Sequence, residues 1–306
     1  METSLRRMRN ITLDPRSVTE QPRGRVQRLT VVPRGLAPVD ALIARPEKPE
    51  RLIFHFIGFN QAMGPWEAAK LAMWASISSA TIVTCELPGF SRYGQPLSTK
   101  VRQDLLDGDP QSWGALTWSY LQAAVRAGEI DTFDSVEVSG VSTGCSLATA
   151  VLPTIQSSHD VIALTLMEPI TLAIRTIGRL AIHNAFDWVR LMQNAPRNYP
   201  STWARQASYR QWREPNLRYI FPDFLASVTM LAGDDTGVRL DELTLPTTHL
   251  ARGGLSKLCA AEEFSRLNEK LAAKKIQGTT TTISGLGHQF WQCLPGIDAL
   301  ARLIYQ

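Results

Sequence analysis

Long hydrophobic runs are missing from this 306-residue chain. None approaches the roughly 18 apolar residues that a membrane-spanning helix needs, so no span is expected. The first 25 residues are polar and rich in arginine. They lack the apolar stretch of a secretory signal, and none is expected there. Cysteine is scarce. Cys85, Cys145, Cys259 and Cys293 are scattered, and no two are spaced as a metal or redox pair. Free thiols in a reducing, cytoplasmic setting fit that pattern. The sequence calls for no metal and no cofactor.

Internal repeats are lacking too, and low complexity is confined to the four threonines 279–282. The length is therefore available for one large core with an inserted subdomain. The net charge of +4 is unevenly spread. Residues 1–36 hold eight arginines against Glu2, Asp14 and Glu20. A second basic stretch, 197–218, is interleaved with Tyr199, Trp203, Tyr209 and Trp212 and runs into Tyr219. Basic residues among aromatics can hold nucleic acid through phosphate contacts and stacking. No nucleic-acid motif accompanies them, so we read a solvated arm (1–23) and an amphipathic subdomain with inward aromatics. No nucleic-acid partner is expected.

What is present is an alternation. Residues 24–33 and 37–46 are β-rich runs around a Gly-containing turn, which predicts a hairpin. Four short β-branched runs follow at 51–59, 80–88, 134–141 and 160–167, with two more at 246–252 and 279–284. Short apolar runs bounded by turn residues read as buried parallel strands. Helical patterns lie between or after them at 65–77, 111–127, 146–156, 260–275 and 296–305. The expected fold is α/β: a mostly parallel eight-stranded sheet with helices on both faces. About 75 residues, 170–245, interrupt the alternation and read mostly helical, too long for a structureless loop in a compact domain. A helical cap over the strand ends accounts for them and divides the core into 24–169 and 246–306.

The strand 134–141 runs into Gly140-Val-Ser142-Thr-Gly144, and a helix follows. A sharp strand-to-helix turn strains the serine and forces the residues two before and two after it together, so only small ones fit. Ser142 is the candidate nucleophile. Among five histidines, His55 and His249 lie inside strands, His159 before one and His183 in the cap. His288 stands in Ser284-Gly-Leu-Gly-His288, on a glycine-flanked loop after the last strand. It is the candidate general base, since an imidazole suits a hydroxyl nucleophile. The run Ile57-Gly58-Phe59-Asn60-Gln61 ends the strand 51–59. The N–H groups of Phe59 and Thr143 are the candidate oxyanion donors, and Asn60 is a candidate substrate contact.

These motifs resemble the α/β-hydrolase superfamily, specifically its capped serine members, from about residue 24 to 305. Glu86-Leu-Pro-Gly-Phe-Ser-Arg-Tyr-Gly94 is similar to the Asp-x-Pro-Gly-x-Gly-x-Ser loop of these enzymes, and Ile57-Gly58-Phe59 stands where they have His-Gly-x. The serine at 142 rules against the capped dehalogenases and epoxide hydrolases, which use aspartate there. The family's usual acid follows the strand 246–252. Here that stretch reads Arg252-Gly-Gly-Leu-Ser256-Lys257, and Ser256 cannot hold a negative charge. Some capped members carry the acid after the strand that here ends Leu164-Thr-Leu-Met-Glu168-Pro-Ile170. Glu168, 26 residues beyond Ser142, is therefore the expected acid. Glu262, Glu263, Asp234 and Asp235 are weaker candidates. The resemblance implies an esterase or lipase-like serine hydrolase acting on an ester, thioester or amide with an apolar portion. The alternative is a non-catalytic member that binds a ligand or a protein, as the absent acid at 256 would allow.

Overall fold

The computed structural model describes residues 8–15, 18, 23–59, 61–131, 133–198 and 216–306; for 188–198 it describes the backbone alone. Among the described residues, nine strands form one sheet. In chain order they are β1 (Arg9–Leu13), β2 (Arg25–Val31), β3 (Val39–Arg45), β4 (Arg51–Phe56), β5 (Ala80–Cys85), β6 (Ser135–Val141), β7 (Asp160–Met167), β8 (Thr247–Gly253) and β9 (Gly278–Ile283). Across the sheet the order is β1-β9-β8-β7-β6-β4-β5-β3-β2. The β2–β3 and β3–β5 pairs are antiparallel, and all others are parallel.

The ninth strand is one more than the sequence led us to expect. Arg9–Leu13, assigned above to the arm 1–23, pairs in parallel with β9 from Arg9↔Thr279 to Leu13↔Ile283. Its Ile11 and Leu13 alternate with polar residues, and both are half-buried. The surrounding arginines masked that alternation. Pairing also covers what would be an open parallel edge on β9. The rest of the arm lies largely outside the described residues, as do 199–215 of the second basic stretch.

The helices are α1 (Pro65–Ser78), α2 (Thr99–Leu106), α3 (Gln111–Ala127), α4 (Thr143–Gln156), α5 (Ile177–Asn198), α6 (Phe221–Gly233), α7 (Thr236–Glu242), α8 (Ala261–Ala273) and α9 (Leu294–Tyr305). α2 was not foreseen; Ser98 caps it by accepting from Val101 N–H. α1 packs on α9, and α3 packs on α4. Both faces of the sheet are thereby covered, which is why β5 is buried at every position and reads as a continuous apolar run. α1 begins at Pro65, whose ring presets helical φ in the first turn. α5, α6 and α7 occupy the stretch between β7 and β8.

The topology also positions the site. From β4 the chain crosses through α1 to β5 on one side, then returns through α3 to β6 on the other side of β4. Such a reversal opens a crevice at the carboxyl ends of the two central strands, where α/β sheets bind their ligands. The segments leaving β4 and β6 there are Ile57–Phe59 and Ser142. Among the described residues, no helix is long and apolar enough to cross a membrane.

Candidate active site

Ser142 sits between β6 and α4 with φ 53° and ψ −119°. A non-glycine residue in that region costs on the order of 1–3 kcal/mol, and the surroundings must enforce it. Its N–H donates to Met167 O on β7 at 2.9 Å, and its carbonyl accepts from Cys145 N–H at 3.0 Å. The two glycines are needed for close approach. A Cβ on Gly140 would stand 2.5 Å from Gly144 O, and one on Gly144 would run into the Phe56 carbonyl. α4 starts at Thr143, three residues before the 146–156 pattern, because the turn delivers the chain directly into it.

Glu168 follows β7, which lies beside β6, the strand that leads into Ser142. Its φ is 56°, and its N–H donates to Ala251 O at 2.7 Å. The side chain is fully buried. One carboxylate oxygen, Oε2, lies 2.8 Å from His288 Nδ1. A carboxylate only accepts, so Nδ1 carries the proton and Nε2 is left as an acceptor. Ser142 Oγ stands 3.0 Å from that Nε2. Ser142, His288 and Glu168 are thus brought together in one buried line, arranged to draw the hydroxyl proton onto the imidazole.

Ser256, the residue at the family's usual acid position, has a part that sequence reasoning missed. Its hydroxyl donates to Glu168 Oε2 at 2.7 Å while accepting from Cys259 N–H at 3.1 Å. Gly253 N–H donates to Oε1. The loop after β8 therefore solvates the carboxylate that it does not itself supply. The signal was the unusual serine, read only as a lost charge. Gly253 is required where it is, because a Cβ there would collide with the Gly287 carbonyl of the histidine loop. His288 then opens a 3-10 helix, His288–Gln292.

The other candidates go elsewhere. Glu263 pairs with Arg175, Glu262 is exposed on α8, Asp234 pairs with Arg239, and Asp235 caps α7 through Val238 N–H at 2.9 Å. His55 faces Ser139 Oγ at 2.9 Å and His249 faces Thr279 Oγ1 at 2.9 Å. Burial lowers His55 to about 3, with the Lys70 charge adding, and lowers His249 to about 4, with Arg9 adding. Both stay neutral. Ser146 turns away from the cleft to Thr171 Oγ1, 2.8 Å away. Burial, with the Glu168 charge behind it, pushes the Cys145 thiol well above its usual range, so no thiolate competes with the serine.

After β4, the turn carrying Phe59 lies against Ser142: a Cβ on Gly58 would be 3.2 Å from Ser142 Cβ. Gly58 N–H is taken by Gln61 Oε1. Among the described residues, no acceptor takes the N–H of Phe59 or of Thr143. Asn60 lies outside the described residues. Ser142, Thr143, His288 and Phe59 share a cavity of about 880 Å³ roofed by α5 and α6. Its apolar wall includes Ile177, Leu180, Phe224, Val228, Leu231 and Leu258. Among the described residues, the charged side chains that line it, Glu67 and Lys70, pair with each other at 2.6 Å.

No protein-family model matches the chain, and no curated protein matches its sequence. Solved structures do match at low identity. A thioesterase domain from the curacin biosynthetic pathway superposes with a TM-score of 0.58 at 17% identity, covering 92% of this chain and 100% of that one. The carboxyl esterase 2 of the mycorrhizal fungus Tuber melanosporum gives 0.54 at 15% identity, over 99% and 90%. A bromoperoxidase from Bacillus anthracis gives 0.57 at 15% identity, over 90% and 99%. The chain has the α/β-hydrolase fold, with cap-like helices between β7 and β8.

Proposed function

We propose that the protein is a serine hydrolase that cleaves carboxylic esters through an acyl-enzyme. The observation that carries this reading is the continuous line from Glu168 Oε2 to His288 Nδ1, 2.8 Å, and from His288 Nε2 to Ser142 Oγ, 3.0 Å. His288 takes the serine proton as Oγ attacks the acyl carbon. Glu168 holds the proton-bearing tautomer and stabilises the imidazolium that forms. The N–H groups of Phe59 and Thr143 receive the oxyanion; such a donor contributes about 3 kcal/mol to the transition state. His288 then protonates the leaving alkoxide, and water attacks the acyl-enzyme by the same steps. A thioester or an amide would follow the same course, and the esterase and the thioesterase among the structural matches suit an ester and a thioester. The carboxylate on Nδ1 favours this reading over a non-catalytic binding protein, whose case rests on a missing acid.

Residues 170–245 are, in this reading, the cap that shapes the pocket and excludes water. Among the described residues the cavity has an apolar wall and no net charge, since Glu67 and Lys70 cancel. The substrate is accordingly a small uncharged ester with an apolar acyl portion, met in the cytoplasm. A fluorophosphonate probe tests the reading. Wild type should be labelled at Ser142, Ser142→Ala should be neither labelled nor active, and both should melt alike. Labelling retained at another residue would overturn the assignment. A p-nitrophenyl ester series then reads the acyl length that the cavity accepts.

A further inference from the structure

Behind the turn after β4 stands a chain of buried polar side chains that the mechanism above does not use. Gln61 Oε1 accepts Gly58 N–H, and Gln61 Nε2 donates to Glu67 Oε2 at 2.9 Å. The Lys70 ammonium reaches the same oxygen at 2.6 Å. Glu67 and Lys70 sit one turn apart on α1, and the side chain of each is only 5% exposed. Lys70 Nζ also lies 4.7 Å above the ring of Trp291, in the short helix that His288 opens. The chain thus joins the turn bearing Phe59 to the histidine's own helix.

A buried ion pair is weak as a source of stability, because lost hydration offsets most of its attraction. What it does supply is direction. A carboxylate accepts and cannot donate, so Glu67 compels the amide of Gln61 to present Nε2 to it. The carbonyl end of the amide must then face Gly58 N–H. With Gly58 N–H engaged, the Ile57–Gly58 peptide is held, which anchors the peptide that follows it; Phe59 N–H, on that next peptide, meets no acceptor among the described residues.

We propose that Gln61, oriented by the Glu67–Lys70 pair, is the positioning residue of the oxyanion hole. It acts through the Phe59 N–H and fixes that donor before the substrate arrives. The inference rests on the acyl-transfer reading above. Preorganised donors act where charge develops, so the effect belongs to the transition state and leaves ground-state binding alone.

The test compares wild type with Gln61→Met, which keeps length and removes both hydrogen bonds. A second variant, Glu67→Gln with Lys70→Met, removes both charges together and leaves no lone buried ion. For each we would measure kcat and KM on a p-nitrophenyl ester, affinity for an alkyl boronic acid, and Tm. The boronic acid forms a tetrahedral adduct on the serine and so reports the oxyanion hole. Gln61→Met should lower kcat and boronic acid affinity together by about 10- to 100-fold, with KM within about threefold. The double variant should move both in the same direction by less. Unchanged kcat and boronic acid affinity in both variants would overturn the proposal. So would a loss carried by KM or Tm alone, the mark of a structural role. Wild type that takes no fluorophosphonate overturns the acyl-transfer reading and this inference with it; normal labelling with unaffected variants overturns the inference alone.

Discussion

Replacing Glu168 with glutamine probes the least conventional member of the site. The carboxylate is fully buried and accepts from three donors: His288 Nδ1, Ser256 Oγ and Gly253 N–H. A glutamine there has one acceptor and one NH₂ group. If its oxygen faces the imidazole, its NH₂ meets Gly253 N–H; if it turns over, its NH₂ meets Nδ1–H. Either way two donors confront each other in a dry site. The charge is lost as well. An imidazolium and a carboxylate with centres about 4 Å apart attract by about 4 kcal/mol at an effective dielectric near 20. At 1.36 kcal/mol per tenfold, that is about a thousandfold in rate. Loss of the correct tautomer pushes the effect toward ten-thousandfold. Initial rates on a short p-nitrophenyl ester, with Tm as the control for folding, measure it. Glu262→Gln, on the exposed face of α8, should stay within twofold. Glu168→Gln within tenfold of wild type, while Ser142→Ala is inactive, would refute the assignment of the acid.

Ser256 Oγ lies 2.7 Å from Glu168 Oε2, so the carboxylate can be moved. The double variant Glu168→Ala, Ser256→Asp should recover at least tenfold over Glu168→Ala alone in kcat/KM; no recovery would show that 256 cannot reach the imidazole. His288→Ala should lower turnover by several orders of magnitude, leaving binding and the oxyanion hole. His55, lowered to about 3, and His249, lowered to about 4, stay neutral at working pH, so replacing either by glutamine should leave the pH profile of kcat/KM unmoved; a shifted profile would contradict this. Glu86 offers a stability test. Burial raises its carboxyl from 4.5 to about 7, with the Asp40 charge adding and the N–H groups of Asp40 and Arg92 opposing. Its folded pKa lies above the unfolded one, so ionising it costs the folded state nothing below about pH 4.5 and up to about 3 kcal/mol above pH 7. Glu86→Gln should therefore raise stability to urea at pH 8 and leave it unchanged near pH 4.5; an equal gain at both would show that charge is not the cause.

Much of this molecule is legible in the order of its residues. Buried parallel strands read as short β-branched runs between turn residues, so β4 to β9 announce themselves. A strand-to-helix turn tight enough to strain Ser142 admits only glycine at 140 and 144, and that local necessity marks Ser142 as the candidate nucleophile. The Gly-rich loop does the same for His288. β1 was hidden because two half-buried side chains among arginines carry too little hydrophobic signal; only its pairing with β9 defines it. Contacts between distant segments were decided by the tertiary structure alone. The sequence could name Glu168 as a carboxylate at a strand end, but its contact with His288, 120 residues away in the chain, forms because β7 and β9, with β8 between them, end on the same edge of the sheet. Ser256, read as a missing acid, becomes a donor to the acid only because β7 and β8 are neighbours. Gln61, Glu67 and Lys70 show no motif, since a short turn and one helical turn fit any composition. Their order of donors and acceptors exists only once the helix is packed beneath the cleft, where water is excluded and every polar atom must find its partner within the protein.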